Sequence, residues 1–308
     1  MAVKWKQLGN SPCNLCPREC QARRKDGQMG YCLSDNRIFV ARAALHMWEE
    51  PCISGEKGSG TVFFSGCSLR CVYCQNYEIA AGKRGRQVSV TELAEIFLEL
   101  QAKGAANINL VTPDHYIDQI ASAVLAARDM GLTLPMVYNG SGYEKREVIK
   151  NLTGIVDVFL TDFKYMDEDL AEKYSKAPDY PSVAAAALEE MMQIAGEAAF
   201  DEKGMMQKGI IVRHLILPGH KKNAKAVVKY LYETYKDRIY LSLMNQYTPF
   251  AKVMEDSDHK ELCRKVTKRE YEAVVAYAID LGVKNAFIQE GDTARESFVP
   301  QFDLNFHV

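Results

Sequence analysis

From Gly60 onward the apolar and polar positions switch between two patterns: short solid apolar runs, and longer stretches with an apolar residue at every third or fourth place. The runs at 61–64, 107–111, 134–138, 156–160, 209–217, 239–244 and 286–289 predict strands. Their lack of a polar face predicts strands covered on both sides. The longer stretches predict helices over 90–103, 116–130, 144–151, 168–174, 181–195, 223–236 and 268–281, with Ser89 or Thr91 near the start of the first and Gly131 ending the second. Strands alternating with helices need parallel pairing and crossover helices. The fold class is therefore α/β, a partial or full parallel (β/α) barrel, with its chemistry at the carboxyl ends of the strands.

The opening of the chain reads differently. Residues 1–50 are rich in Cys, Gly, Arg and Asn and show no long apolar periodicity, so they are expected to form a small Cys-rich metal-binding segment ahead of a barrel domain at 51–308. A segment of that size draws its folding free energy largely from ligation. The stretch 48–60, with Trp48, Glu49, Glu50 and Pro51 followed by glycines, is expected to be a linker feeding the first strand.

Nine cysteines fall mostly into two tight groups, which is not how a disulfide framework is spread. Cys67, Cys71 and Cys74 stand on a C-x3-C-x2-C spacing directly after the first barrel strand. Three thiolates so close can hold three irons of a cubane [4Fe-4S] cluster and leave the fourth iron open. A closed zinc site would want a fourth ligand, and the loop has no histidine. Cys13, Cys16, Cys20 and Cys32, spaced C-x2-C-x3-C-x11-C, supply four ligands, enough for a second iron-sulfur cluster or a tetrahedral zinc. Cys52 and Cys263 belong to neither group and are expected to pack as small apolar residues.

Composition narrows the classes. At 308 residues and 47% hydrophobic, the chain can bury a large core. A net charge of -2 argues against nucleic acid or an anionic membrane as partner. The apolar runs are too short to span a bilayer and the start lacks a signal-peptide pattern, so a cytoplasmic location is expected. The tail at 300–306 carries aromatic anchors and is expected to dock on the barrel.

The segment from Gly60 through Cys67, continued to Asn76, resembles the cluster loop of radical S-adenosylmethionine (radical SAM) enzymes, and within them the pyruvate formate-lyase activating enzyme-like branch. The likeness extends more weakly over residues 50 to 308. Val137 to Tyr143, with Asn139 and Gly140, resembles the strand end near the methionyl part of SAM. Asp162-Phe163-Lys164 matches an Asp-x-Lys motif whose residues touch SAM, and the two charged side chains at i and i+2 share one face of a strand. Two departures stand out. Where the family carries Gly-Gly-Glu, this chain has Val111-Thr112-Pro113-Asp114-His115, in which Thr112 and Asp114 offer polar contacts. Where a histidine lies near the ribose, it has Asn245-Gln246.

The resemblance implies a radical SAM oxidoreductase. Cys67, Cys71 and Cys74 hold [4Fe-4S]; SAM occupies the open iron; Tyr73 lies against the adenine; Thr112, Asp114, Asn139, Asp162, Lys164 and Gln246 complete the cofactor site. Flavodoxin or ferredoxin supplies the electron, and a 5′-deoxyadenosyl radical takes a hydrogen atom. In an activating enzyme that atom comes from a glycine of a partner glycyl radical enzyme. Two other readings stand beside it: radical modification of another protein, peptide or small molecule, and a non-catalytic iron-sulfur electron carrier.

Overall fold

The interior strands are apolar on both faces because helices cover one side and a shared cavity and core lie on the other. In the computed structural model, which describes residues 8, 12–82, 84–255 and 257–289, the order begins with β1 (Ile38–His46), α1 (Pro51–Ser54), β2 (Ser59–Phe64), α2 (Tyr77–Ala80), β3 (Arg86–Val88) and α3 (Val90–Ala102). It continues through β4 (Ile108–Val111), α4 (Ile117–Asp129), β5 (Met136–Gly140), α5 (Arg146–Lys150), β6 (Val158–Asp162), α6 (Glu168–Ser175), α7 (Tyr180–Ala195) and β7 (Ala199–Phe200). The last elements are β8 (Met206–Leu215), α8 (Lys221–Tyr235), β9 (Tyr240–Met244), α9 (Ala251–Met254), α10 (Lys268–Leu281) and β10 (Ala286–Ile288).

The strands lie in the order β10-β9-β8-β6-β5-β4-β2-β1-β3, with β7 paired to β8. From β2 to β10 the neighbours run parallel, while β1 is antiparallel to both β2 and β3. Among the described strands β10 and β3 are the two ends, so the sheet is an open, partial barrel. Every residue of β2 and β4 is buried. Helices α3 and α10 begin with capping boxes, Ser89 with Glu92 and Thr267 with Glu270, and Gly282 in the left-handed region closes α10. On α3, Leu93, Ile96, Phe97 and Leu100 form the stripe turned to the core.

Several element ends differ from the sequence expectation for local reasons. The strand expected from 134 starts at Met136, because Gln101 Oε1 takes the amides of Thr133 and Leu134. The helix expected from 144 starts at Arg146, because the Glu144 carboxylate turns back to accept from the Ser141 amide at 3.0 Å. A 3-10 turn, Asp114–Tyr116, precedes α4.

Two larger differences lie before residue 60. Strand β1 falls inside the segment expected to lack a core, yet it pairs with β2 from Val40↔Phe64 to His46↔Ser59. The stretch expected to be a linker folds as α1. Its Cys52 and Ile53 pack against Val137, Val158, Leu160 and Ile211, and the Ile53 carbonyl accepts from Asn107 Nδ2 at 2.7 Å. Val158 and Val137 sit at the starts of β6 and β5, so α1 plugs the amino end of the barrel. The tail at 300–306 lies outside the described residues. Among the described residues no helix is long and apolar enough to cross a membrane.

Candidate functional site

A cavity of about 630 Å³ opens at the carboxyl end of the sheet. Its wall takes residues from β2, β4, β5, β6, β8, β9 and β10, which is how an open sheet shows that it curls around one space. Cys67, Cys71, Tyr73 and Cys74 form one side. Thr112, Asn139, Asp162, Lys164 and Gln246 come from the strand ends, so of the residues expected in the cofactor site only Asp114 does not line the cavity.

The cysteine loop is built by its backbone. Gly66 has φ +96, and a Cβ there would lie 2.2 Å from Ser34 Oγ and 2.7 Å from the Cys32 carbonyl, so only glycine fits. The Gly66 amide donates to the Ile79 carbonyl at 2.8 Å, that of Cys67 to the Cys32 carbonyl at 3.2 Å, and that of Val72 to the Tyr174 carbonyl at 2.8 Å. Cys67 Sγ accepts from the Arg70 amide at 3.5 Å and Cys71 Sγ from the Ser175 hydroxyl at 3.1 Å. Burial, then the Asp114 charge, pushes the Cys67 thiol well up; burial and then Cys71 push Cys74 up to about 12.

Among the described residues no three His, Cys, Asp or Glu side chains converge on a point as ligands of a single ion do. In a cubane each thiolate takes a different iron, so Cys67, Cys71 and Cys74 need not converge on one point to hold one. Three soft donors lining one cavity, with hydrogen bonds to their sulfurs, fit such a cluster.

The lining also has a polar part. Lys164 Nζ pairs with Asp162 at the end of β6. Burial works against the Lys164 charge, and the Asp162 carboxylate outweighs it, so the ammonium is held well above its usual range. Gly142, at φ +80, lets this strand end approach β6: a Cβ would stand 2.3 Å from the Asp162 carbonyl. Thr112 has φ +56, in the left-handed region, an uncommon and strained conformation for a β-branched residue. It stands where the resemblance places glycine, so the chain keeps the left-handed turn while carrying a side chain in it. Gln246 Oε1 accepts from Gln289 Nε2 at 3.0 Å, and its carbonyl accepts from Gln75.

Tyr73 is buried, its ring edge-on to Tyr174 and Tyr247, with its hydroxyl 2.7 Å from that of Tyr165. Asp114, 5% exposed, lies behind the loop, 3.5 Å from His115 Nδ1. There its carboxylate helps to raise the thiols of Cys67, Cys16 and Cys32 alike, so its charge is felt by both cysteine groups. In the first group, Cys20 and Cys32 flank Gly30, whose Cβ would lie 3.3 and 3.4 Å from their sulfurs, while burial above all pushes Cys16 up to about 12.

The sequence reading missed the cavity floor. Arg213 on β8 forms a two-bonded pair with Glu50 and a second ion pair with Glu49, whose other oxygen accepts from Asn109 Nδ2 at 3.0 Å. Burial and then the Arg213 charge act on Glu50, and its carboxyl stays below the usual range. Two acidic residues before a proline carried no signal of this, because their partner is 163 residues away.

A curled, open parallel sheet with a three-cysteine loop after its first parallel strand defines a class of iron-sulfur radical enzyme folds, and the comparisons agree. The profile of the radical SAM superfamily matches residues 61–231, and the chain belongs to that superfamily. The family implies a [4Fe-4S] cluster and SAM. An uncharacterized protein of Methanocaldococcus jannaschii is 25% identical over 277 residues, 87% of this chain and 76% of its own. A pyruvate formate-lyase-activating enzyme of Clostridium pasteurianum is 28% identical over 117 residues, 35% of this chain and 46% of its own. The crystal structure of Streptococcus suis SuiB bound to precursor peptide SuiA superposes with a TM-score of 0.47 at 13% identity. That match covers 71% of this chain and 46% of SuiB, so the chain spans about half of SuiB's length.

Proposed function

We propose that this protein uses SAM to take a hydrogen atom from the Cα of a glycine in a partner glycyl radical enzyme. Cys67, Cys71 and Cys74 would hold the cluster, and Lys164, Asp162, Asn139 and Thr112 would position SAM across the cavity. When bound, the cluster would supply the electron and SAM the hydrogen-abstracting group. The observation that carries the reading is the placement of three thiols and an Asp-x-Lys strand end in the lining of one cavity.

The protein's own task is positioning and exclusion of water rather than acid-base chemistry. Asp162 and Lys164 pair with one another and so offer a matched carboxylate and ammonium to the ribose and the zwitterionic end of SAM. The rim carries exposed apolar side chains, Trp48 at 62% and Ile288 at 41%, suited to a polypeptide segment reaching the site. Flavodoxin or ferredoxin would supply the electron.

A second reading, radical modification of another protein, peptide or small molecule, is favoured by Thr112-Pro113 in the place of paired glycines. Anaerobically reconstituted protein given SAM and dithionite should form 5′-deoxyadenosine, and Cys71→Ala should form none. No product from an iron-loaded wild type ends both readings. A glycyl-radical EPR doublet on mixing with a candidate partner selects the first; SAM cleavage without that doublet across candidate partners selects the second.

A further inference from the structure

We propose that Ser175 is a positioning residue that sets how readily the cluster held by Cys71 accepts an electron, acting through the hydrogen bond its hydroxyl gives to Cys71 Sγ. The proposal rests on the reading of Cys67, Cys71 and Cys74 as cluster ligands.

Ser175 ends α6 and is 1% exposed. Its Oγ lies 3.1 Å from Cys71 Sγ and 2.8 Å from the Tyr165 hydroxyl, which in turn lies 2.7 Å from the Tyr73 hydroxyl. Each hydroxyl has one proton to give. The Ser175 proton goes to Cys71 Sγ and that of Tyr165 to the Tyr73 hydroxyl, so the Ser175 donor is aimed at sulfur from within a buried cluster of hydroxyls.

Contacts to the main chain around Ser175 hold it in this place from three directions. The Val72 amide, next to Cys71, donates to the Tyr174 carbonyl at 2.8 Å. Arg18 donates to the Ser175 carbonyl at 2.7 Å, and Lys176 turns into the left-handed region at φ 52 to end the helix. The hydroxyl is thus removable without altering the backbone that aims it. Cys67 Sγ, by contrast, has a backbone amide as its donor, which no side-chain change removes.

A reduced cluster carries one more negative charge, shared with its thiolate sulfurs. A donor aimed at a sulfur therefore stabilises the reduced form more than the oxidised form and raises the potential. Without it, reduction becomes harder.

The test uses reconstituted full-length wild type, Ser175→Ala, Ser175→Thr and Tyr165→Phe. Iron and sulfide are counted for each, and the midpoint potential is read by EPR at a series of poised potentials. Ser175→Ala should show a roughly tenfold smaller reduced-to-oxidised ratio at a fixed potential, about 59 mV for a one-electron couple. Ser175→Thr and Tyr165→Phe, which both keep a hydroxyl donor at 175, should stay at the wild-type value. Ser175→Ala with its full iron and an unshifted potential overturns the proposal, as does loss of iron in both Ser175 variants, which would mark the position as scaffold. A wild type that binds no cluster at Cys67, Cys71 and Cys74 overturns the ligand reading and the proposal together; the other outcomes leave that reading standing.

Discussion

Glu144 is a carboxyl that the fold holds in its protonated form. It is 1% exposed, one oxygen accepts from the Ser141 amide, and burial, then the Asp114 and Asp162 charges, push it up to about 8. An unfolded glutamate titrates near 4.5. Between those values the folded state holds a proton that the unfolded state has lost, so stability falls as pH rises through that window and is level below it. Glu144→Gln keeps an acceptor for Ser141 and removes the titration. Its melting temperature relative to wild type should climb by several degrees from about pH 5 to about pH 8.5; a constant difference across that range would show that Glu144 is not the group responsible. Residues of this kind are not legible in a sequence, because their behaviour comes from neighbours distant along the chain. Cys67, Cys71 and Cys74 were legible because their spacing is local. Thr112 was legible as a departure, but its left-handed backbone was not.

Elements with a long, clear period were read from the chain to within a few residues: α3, α4, α7, α8 and α10 all lie where apolar residues recur every third or fourth place. Helix α1 could not be read so, since four residues hold no period and a helix that short stands only on tertiary contact. Strand β1 was obscured by the bulge between Val40 and Arg42, which breaks its alternation. The tertiary dependence of α1 can be measured. Ile53 is fully buried against the starts of β5 and β6, so Ile53→Ala should lower unfolding free energy by about 2–4 kcal/mol in urea, with an unchanged slope. A loss below about 1 kcal/mol would mean that α1 lies on the barrel without closing it.

At the scale of the molecule, parallel topology and the placing of chemistry at the strand ends follow from strand–helix alternation, but the seating of the Cys-rich segment does not. That seating runs through Arg18. Its guanidinium donates to the carbonyls of Ser68 at 3.0 Å and Leu69 at 3.3 Å in the cysteine loop, and to those of Ser175 at 2.7 Å and Lys176 at the end of α6. It also lies over the Tyr31 ring at 4.3 Å, and Arg70 of the cysteine loop lies over that ring at 5.1 Å. One planar fork thus joins three parts of the chain, and the carbonyls at the end of α6 welcome a cation. A lysine, with a point charge and no fork, cannot reach all four carbonyls at once. Arg18→Lys and Arg18→Ala should therefore both speed amide exchange across residues 12–36, the alanine variant more, while β4, β5 and β6 exchange as in wild type. Exchange at 12–36 that stays unchanged in Arg18→Ala would show that the segment is held by its other contacts, such as the Cys67 amide on the Cys32 carbonyl. Faster exchange throughout the sheet would show instead that Arg18 supports the whole barrel.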